Sequence, residues 1–205
     1  MNVTLTSDDP GRLLLSTSQT AVGSRSITIV IPPAGYSARY YLQALGDSGT
    51  VTYTATAKGF RSRTGMVSFA PSGIVLTPIW QGPPDEAHVL RDQPPESNYK
   101  FSVSLSKSTP MKLVVWTAQL DPVTHRSADI TVQPLRAGRS LTIPMTNSNP
   151  AVGKTAANVT IPGGSDHVIA DFTAMREGST EISVMTPKDF TPSANSTTVI
   201  GLVHK

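Results

Sequence analysis

The chain has 205 residues, a formal net charge of +3 and 15% charged side chains, and its length is that of two immunoglobulin-sized β-domains rather than one. Its 17 Lys and Arg form no cluster interleaved with aromatics, which argues against a nucleic-acid partner, and its apolar runs are strand-sized, which argues against membrane insertion. The absence of cysteine removes thiol catalysis, disulfides and zinc–thiolate sites, while 23 Ser, 25 Thr, 15 Gly and 17 Pro favour strands and turns over long helices.

The amino-terminal stretch from Met1 to Ser16 lacks a basic region followed by an apolar core and does not read as a secretory signal. Ser26 to Ile31, Thr50 to Ala55, Phe101 to Ser106 and Glu181 to Val184 largely alternate polar with apolar side chains. That period places alternate residues on opposite faces of a strand, so each segment offers one apolar face to a core and one hydroxyl-rich face to water. Ile27, Ile29, Ile31, Val51, Tyr53 and Ala55 are expected in one core, and Phe172, Ile182, Val184 and Val199 in another. Met66 to Phe69, Ala128 to Val132, His167 to Phe172 and Thr198 to Val203 fit the pattern less strictly. Asp8-Asp9-Pro10-Gly11, Pro32 to Gly35, Gly46-Asp47-Ser48-Gly49, Asn147 to Pro150 and Pro162-Gly163-Gly164 punctuate the strands as turns. Many short strands with no helix-period segment for crossovers point to antiparallel sandwiches.

An internal repeat sets the organisation. Val3 to Pro10 matches Ile143 to Pro150, Ile31-Pro32 matches Ile161-Pro162, and Gly49 to Ala55 matches Gly178 to Val184, at offsets of 140, 130 and 129. The first copy therefore carries about ten extra residues around Leu13 to Gly23. Residues 81–98, Pro-rich and charged, read as a semi-extended linker between a first module at 1–80 and a second at 99–205. The stretch from Tyr99 to Ser140 precedes the second copy and has no counterpart before the first, so the first module is expected to lack amino-terminal strands. An excised piece, a naturally short module and a strand donated in trans all account for this. For donation, Phe101 to Leu105 and Thr198 to Val203 are the candidate donors.

The order VTLTSDDPG, a strand ending at Ile31-Pro32, then Gly49 to Phe60 resembles the bacterial Ig-like repeats found in tandem in large surface and secreted proteins. The second copy resembles them through Pro134 to Gly138, the strand into TNSNPAVG, Glu177 to Val184 and Pro187 to Phe190. These motifs mark turns and core strands. The resemblance implies an all-β fold of two tandem immunoglobulin-like sandwiches, an extracellular or cell-surface setting, and a spacer, stalk, fibre or adhesive role, and it carries over no catalytic residue.

The apparent chemical motifs have plainer readings. Gly46-Asp47-Ser48-Gly49 spells the local sequence around a trypsin-like nucleophile, but in that arrangement the histidine base precedes the serine, and the first histidine here is His88. Gly153-Lys154-Thr155 lacks the upstream glycine of a phosphate loop, position 148 being Ser. His88, His125, His167 and His204 are scattered without metal-ligand spacing, and Asp8, Asp9 and Asp47 are turn formers before they are calcium ligands. No catalytic, cofactor or metal site is expected. Function then reads as a non-catalytic structural or assembly module whose partners are neighbouring Ig-like domains or identical subunits. The alternative is a carbohydrate- or protein-binding adhesive module that uses Trp80, Tyr36, Tyr40 and Tyr41 as its contact surface.

Overall fold

A computed structural model of the chain describes residues 1–33, 35–79, 99–106, 109–127 and 132–205. Among them are fifteen strands and no helix, hence no helix long and apolar enough to cross a membrane. The strands fall into two units. The first comprises Met1–Ala70 with the short segments Leu135–Arg139 and Pro162–Gly164, and the second comprises Pro71–Pro134, Ser140–Ile161 and Ser165–Lys205.

In the first unit, β1 (Asn2–Ser7), β3 (Ser26–Val30), β5 (Thr50–Ala57) and β6 (Arg63–Ser68) form an antiparallel sheet in the order β3-β1-β5-β6, and β2 (Leu13–Ser16) pairs with β4 (Tyr41–Ala44) in a second, two-stranded sheet. The pairings Val3 with Ile29, Leu5 with Ile27, Leu5 with Ala55 and Val51 with Val67 place every apolar alternate on one face. The opposite face carries Thr4, Thr6, Thr28, Thr52, Thr54 and Thr56, with Thr4 and Thr28 hydroxyls 3.4 Å apart and Thr6 and Ser26 hydroxyls 3.0 Å apart. Leu13, Val51 and Phe69 form the core of this unit, with Tyr53 and Val67 packed against it. The core expected from alternation is only partly closed: Val51 is buried, whereas Ile27, Ile29, Ile31, Tyr53 and Ala55 are half-buried. Their orientation is the expected one, but two short strands cover too little of a four-stranded sheet to exclude water from them.

The second unit is a fuller sandwich. Its strands are β7 (Ser72–Pro78), β8 (Tyr99–Ser104), β9 (Met111–Gln119), β10 (Ser140–Asn147), β11 (Gly153–Lys154), β12 (Asn158–Pro162), β13 (His167–Ala174), β14 (Gly178–Val184) and β15 (Thr198–His204). They make sheets of order β12-β10-β14-β15-β8 and β11-β13-β9-β7. The sheets face each other, with β7 against β8, β14 and β15. Phe101 of one sheet meets Phe172 of the other edge-on at 5.1 Å between ring centroids. Ile143, Ile161, Phe172, Ile182 and Val199 are fully buried. The pairs β10–β14, β11–β13, β13–β9, β14–β15 and β7–β9 are antiparallel, whereas β8 runs parallel to β15.

Strand β7 lies within the expected first module at 1–80, yet it hydrogen-bonds along β9 from Ser72 opposite Gln119 to Pro78 opposite Leu113 and groups with the second unit, so the long continuous stretch of the first unit runs from Met1 to Ala70. The segment 81–98, expected as a linker, lies outside the described residues; β7 before it and β8 after it both fall in the second unit. The donor candidates Phe101 to Leu105 and Thr198 to Val203 are already engaged, because β8 and β15 pair with each other within the second unit.

Candidate functional site

Of the four aromatic residues expected as a contact surface, Tyr36, Tyr40 and Tyr41 are described and all lie in the first unit. Trp80 lies outside the described residues. Tyr36 is fully exposed, at 101%. Tyr41 opens β4 opposite Ser16 and is half-buried. Tyr40 is occupied by the fold itself. Its hydroxyl lies 2.6 Å from that of Tyr53 and the two rings meet edge-on at 6.0 Å. The hydrogen bond to Tyr53, then burial, then the second phenol push the Tyr40 hydroxyl up to about 12. Tyr53 in turn covers Gly65, where an added Cβ would lie 2.4 Å from its ring. The sequence signal for this pair was the alternation that places Tyr53 inward; its partner Tyr40, in a segment without strand periodicity, was not legible.

The Gly46-Asp47-Ser48-Gly49 segment is the turn that feeds β5. Ser48 Oγ donates to Asp47 Oδ1 at 3.1 Å, and the Arg12 guanidinium donates to the Ser48 carbonyl while lying 5.3 Å above the Phe69 ring. Gly49 is required there on two counts: its φ is +77°, and a Cβ would sit 3.0 Å from the Arg12 guanidinium. The repeat uses the same device at Gly178, where φ is +143° and a Cβ would meet Val152 at 2.8 Å.

The other acids also shape backbone. Asp9 Oδ1 accepts from Gly11 N at 3.1 Å, and the Asp9 carbonyl accepts from Leu13 N at 2.9 Å. Asp8 accepts from the Thr52 hydroxyl on the adjacent strand. Asp121 Oδ1 accepts from Thr124 N at 2.6 Å, Thr124 Oγ1 at 2.9 Å and Val123 N at 3.0 Å, and these bonds hold its carboxyl below the usual range. His167 Nδ1 lies 2.6 Å from Asp166 Oδ1, and its ring rests 4.7 Å from that of Trp116, whose Nε1 donates to Thr77 Oγ1 at 3.0 Å. Trp116 is half-buried on the outer side of β9. Among the described residues no three His, Cys, Asp or Glu gather as metal ligands would; His88 lies outside them.

No family model matches the sequence, and no curated protein matches it. Among solved structures the chain is similar to domains 4 and 5 of the S-layer protein SbsC, at 14% identity and a TM-score of 0.36, covering 99% of this chain and 70% of that one. It is also similar to the D00-D0 domain of Intimin, at 11% identity and a TM-score of 0.37, covering 96% of this chain and 86% of that one. The D0-D1 domain of Intimin matches at 12% identity and a TM-score of 0.33, covering 98% and 80%.

Proposed function

We propose that the chain is a non-catalytic structural module of an extracellular bacterial assembly, a spacer, stalk or fibre segment built from Ig-like sandwiches. One observation carries this reading: the serine and carboxylates with the sequence context of chemistry, Ser48, Asp8, Asp9 and Asp47, are spent on turns and strand contacts. A hydrolytic site needs a nucleophile, base and orienting acid converging on one position, whereas a spacer needs only strands and turns that hold. An adhesive role is the second reading, and the full exposure of Tyr36 favours it, since an uncovered aromatic is the group a sugar face would stack on.

Three measurements test the proposal. A serine-directed fluorophosphonate should leave the protein unlabelled, and a glycan array should show no signal that Tyr36→Ala removes. Labelling abolished by Ser48→Ala would overturn the non-catalytic reading, and Tyr36-dependent glycan binding would replace the spacer by the adhesive module. Antibody against residues 1–205 should label intact cells; labelling only after lysis would refute the surface setting.

A further inference from the structure

The two units have the same strands in the same order up to a definite point. Reading across the sheets, β3-β1-β5-β6 corresponds to β12-β10-β14-β15, and β2-β4 corresponds to β11-β13. The second unit then continues, with β8 added beyond β15 and with β9 and β7 added beyond β13. Among the described residues the first unit has nothing at either place, so β6 pairs only with β5 and β4 only with β2.

The inner faces record what the three additional strands do. Phe172 of β13 is fully buried against Phe101 of β8, whereas Leu42, at the corresponding place in β4, is 41% exposed. Ile143, Ile161 and Ile182 are each 0% exposed, whereas their repeat partners Val3, Ile31 and Tyr53 are half-buried. Among the described residues the first unit thus presents two unpaired backbone edges flanking a partly covered apolar face. An edge of that kind is a template for strand addition unless charge, proline or a bulge blocks it. On β6 the blocking charge is confined to Arg63 at its start, and β4 carries none.

We propose that the first unit is a docking site for a strand set of the β7–β9 kind from a neighbouring Ig-like repeat. One strand adds parallel to β6, as β8 does to β15, and one adds antiparallel to β4, as β9 does to β13. The chemistry of the occupant follows from the strands that fill these places in the second unit. The strand on β6 alternates, with large apolar residues inward as in Tyr99, Phe101 and Val103 and polar ones outward as in Lys100 and Ser102. The strand on β4 is apolar on both faces, as in Leu113, Val114 and Val115. A second copy of this chain is not the occupant, because its own β7, β8 and β9 are paired and buried in its second unit, and lending them would open there the gap it closed here.

The test joins a second copy of residues 71–139 ahead of residue 1 of the full chain and follows amide hydrogen exchange at β4 and β6. A control fusion carries Phe101→Asp and Leu113→Asp in the added segment alone. Exchange of the Leu42 to Ala44 and Arg63 to Ser68 amides should slow by about tenfold or more in the first fusion and stay unchanged in the control. Equal exchange in both fusions would overturn the proposal. So would an unextended chain that sediments as a dimer with those amides already protected, since the occupant would then be a second copy. Neither outcome depends on whether the protein is a spacer or an adhesin.

Discussion

Cutting the chain at two places separates the structure from the composition. Residues 71–205 retain β7, whereas residues 99–205, the module that the Pro-rich segment suggests, lose it. Strand β7 carries Ile74, Val75 and Leu76, all 0% exposed, and Thr77 at 2%. Each fully buried aliphatic side chain of this size contributes about 1.5–3 kcal/mol, so the three together contribute about 5–9 kcal/mol, an upper estimate because the unfolded chain already covers some apolar surface. Whole domains are stable by about 5–15 kcal/mol. Removing β7 also unpairs the edge of β9 along Leu113 to Gln119 and leaves Trp116 without its Thr77 acceptor. Residues 71–205 should therefore unfold cooperatively in urea, followed by circular dichroism, while residues 99–205 should be unfolded or self-associated without denaturant. Equal urea midpoints for the two would refute the assignment of β7 to the second unit.

The Tyr40–Tyr53 pair should make stability fall at high pH. A phenol whose pKa is raised in the folded state contributes stability that is complete below its unfolded value near 10 and is lost as pH rises toward about 12. Tyr53→Phe should bring the Tyr40 titration, read from tyrosinate absorbance, down toward the ordinary range; an unchanged late-titrating phenol would show that Tyr53 is not the cause. In the second unit, Gly153→Ala would place a Cβ 2.1 Å from the ring of fully buried Phe172, and overpacking of this kind costs about 1–3 kcal/mol. Gly46→Ala, whose nearest neighbour would be 3.8 Å away, should change stability by less than about 0.5 kcal/mol. Equal losses for the two glycines in thermal melts would contradict the packing around Phe172.

Local pattern was enough for the strands that alternate. Ser26 to Val30, Thr50 to Ala55 and Glu181 to Val184 lie in β3, β5 and β14 with their alternating apolar residues on the inner face, the exposed Val30 apart, because a two-residue period is a property of the backbone and needs no partner to be read. The repeat likewise established that Val3 to Pro10 and Ile143 to Pro150 occupy the same place in their sheets, since the turns between strands carry their own glycine and proline signals. The pairing of β7 was a different kind of fact. Ile74-Val75-Leu76 is a continuous apolar run, which is buried wherever it goes, and nothing in it distinguishes a partner in the first unit from β9 some forty residues downstream. The Pro-rich composition of residues 81–98 interrupts the alternating pattern, and such an interruption reads the same between domains as within one. Half-burial of Ile27, Ile29 and Tyr53 was also beyond a local reading, because alternation specifies the direction of a side chain, whereas its exposure depends on how many strands the opposite sheet supplies. The fold class and the repeat were therefore properties of the sequence, and the boundary, the open face and the Tyr40–Tyr53 pair were decided by contacts between residues that only the folded chain brings together.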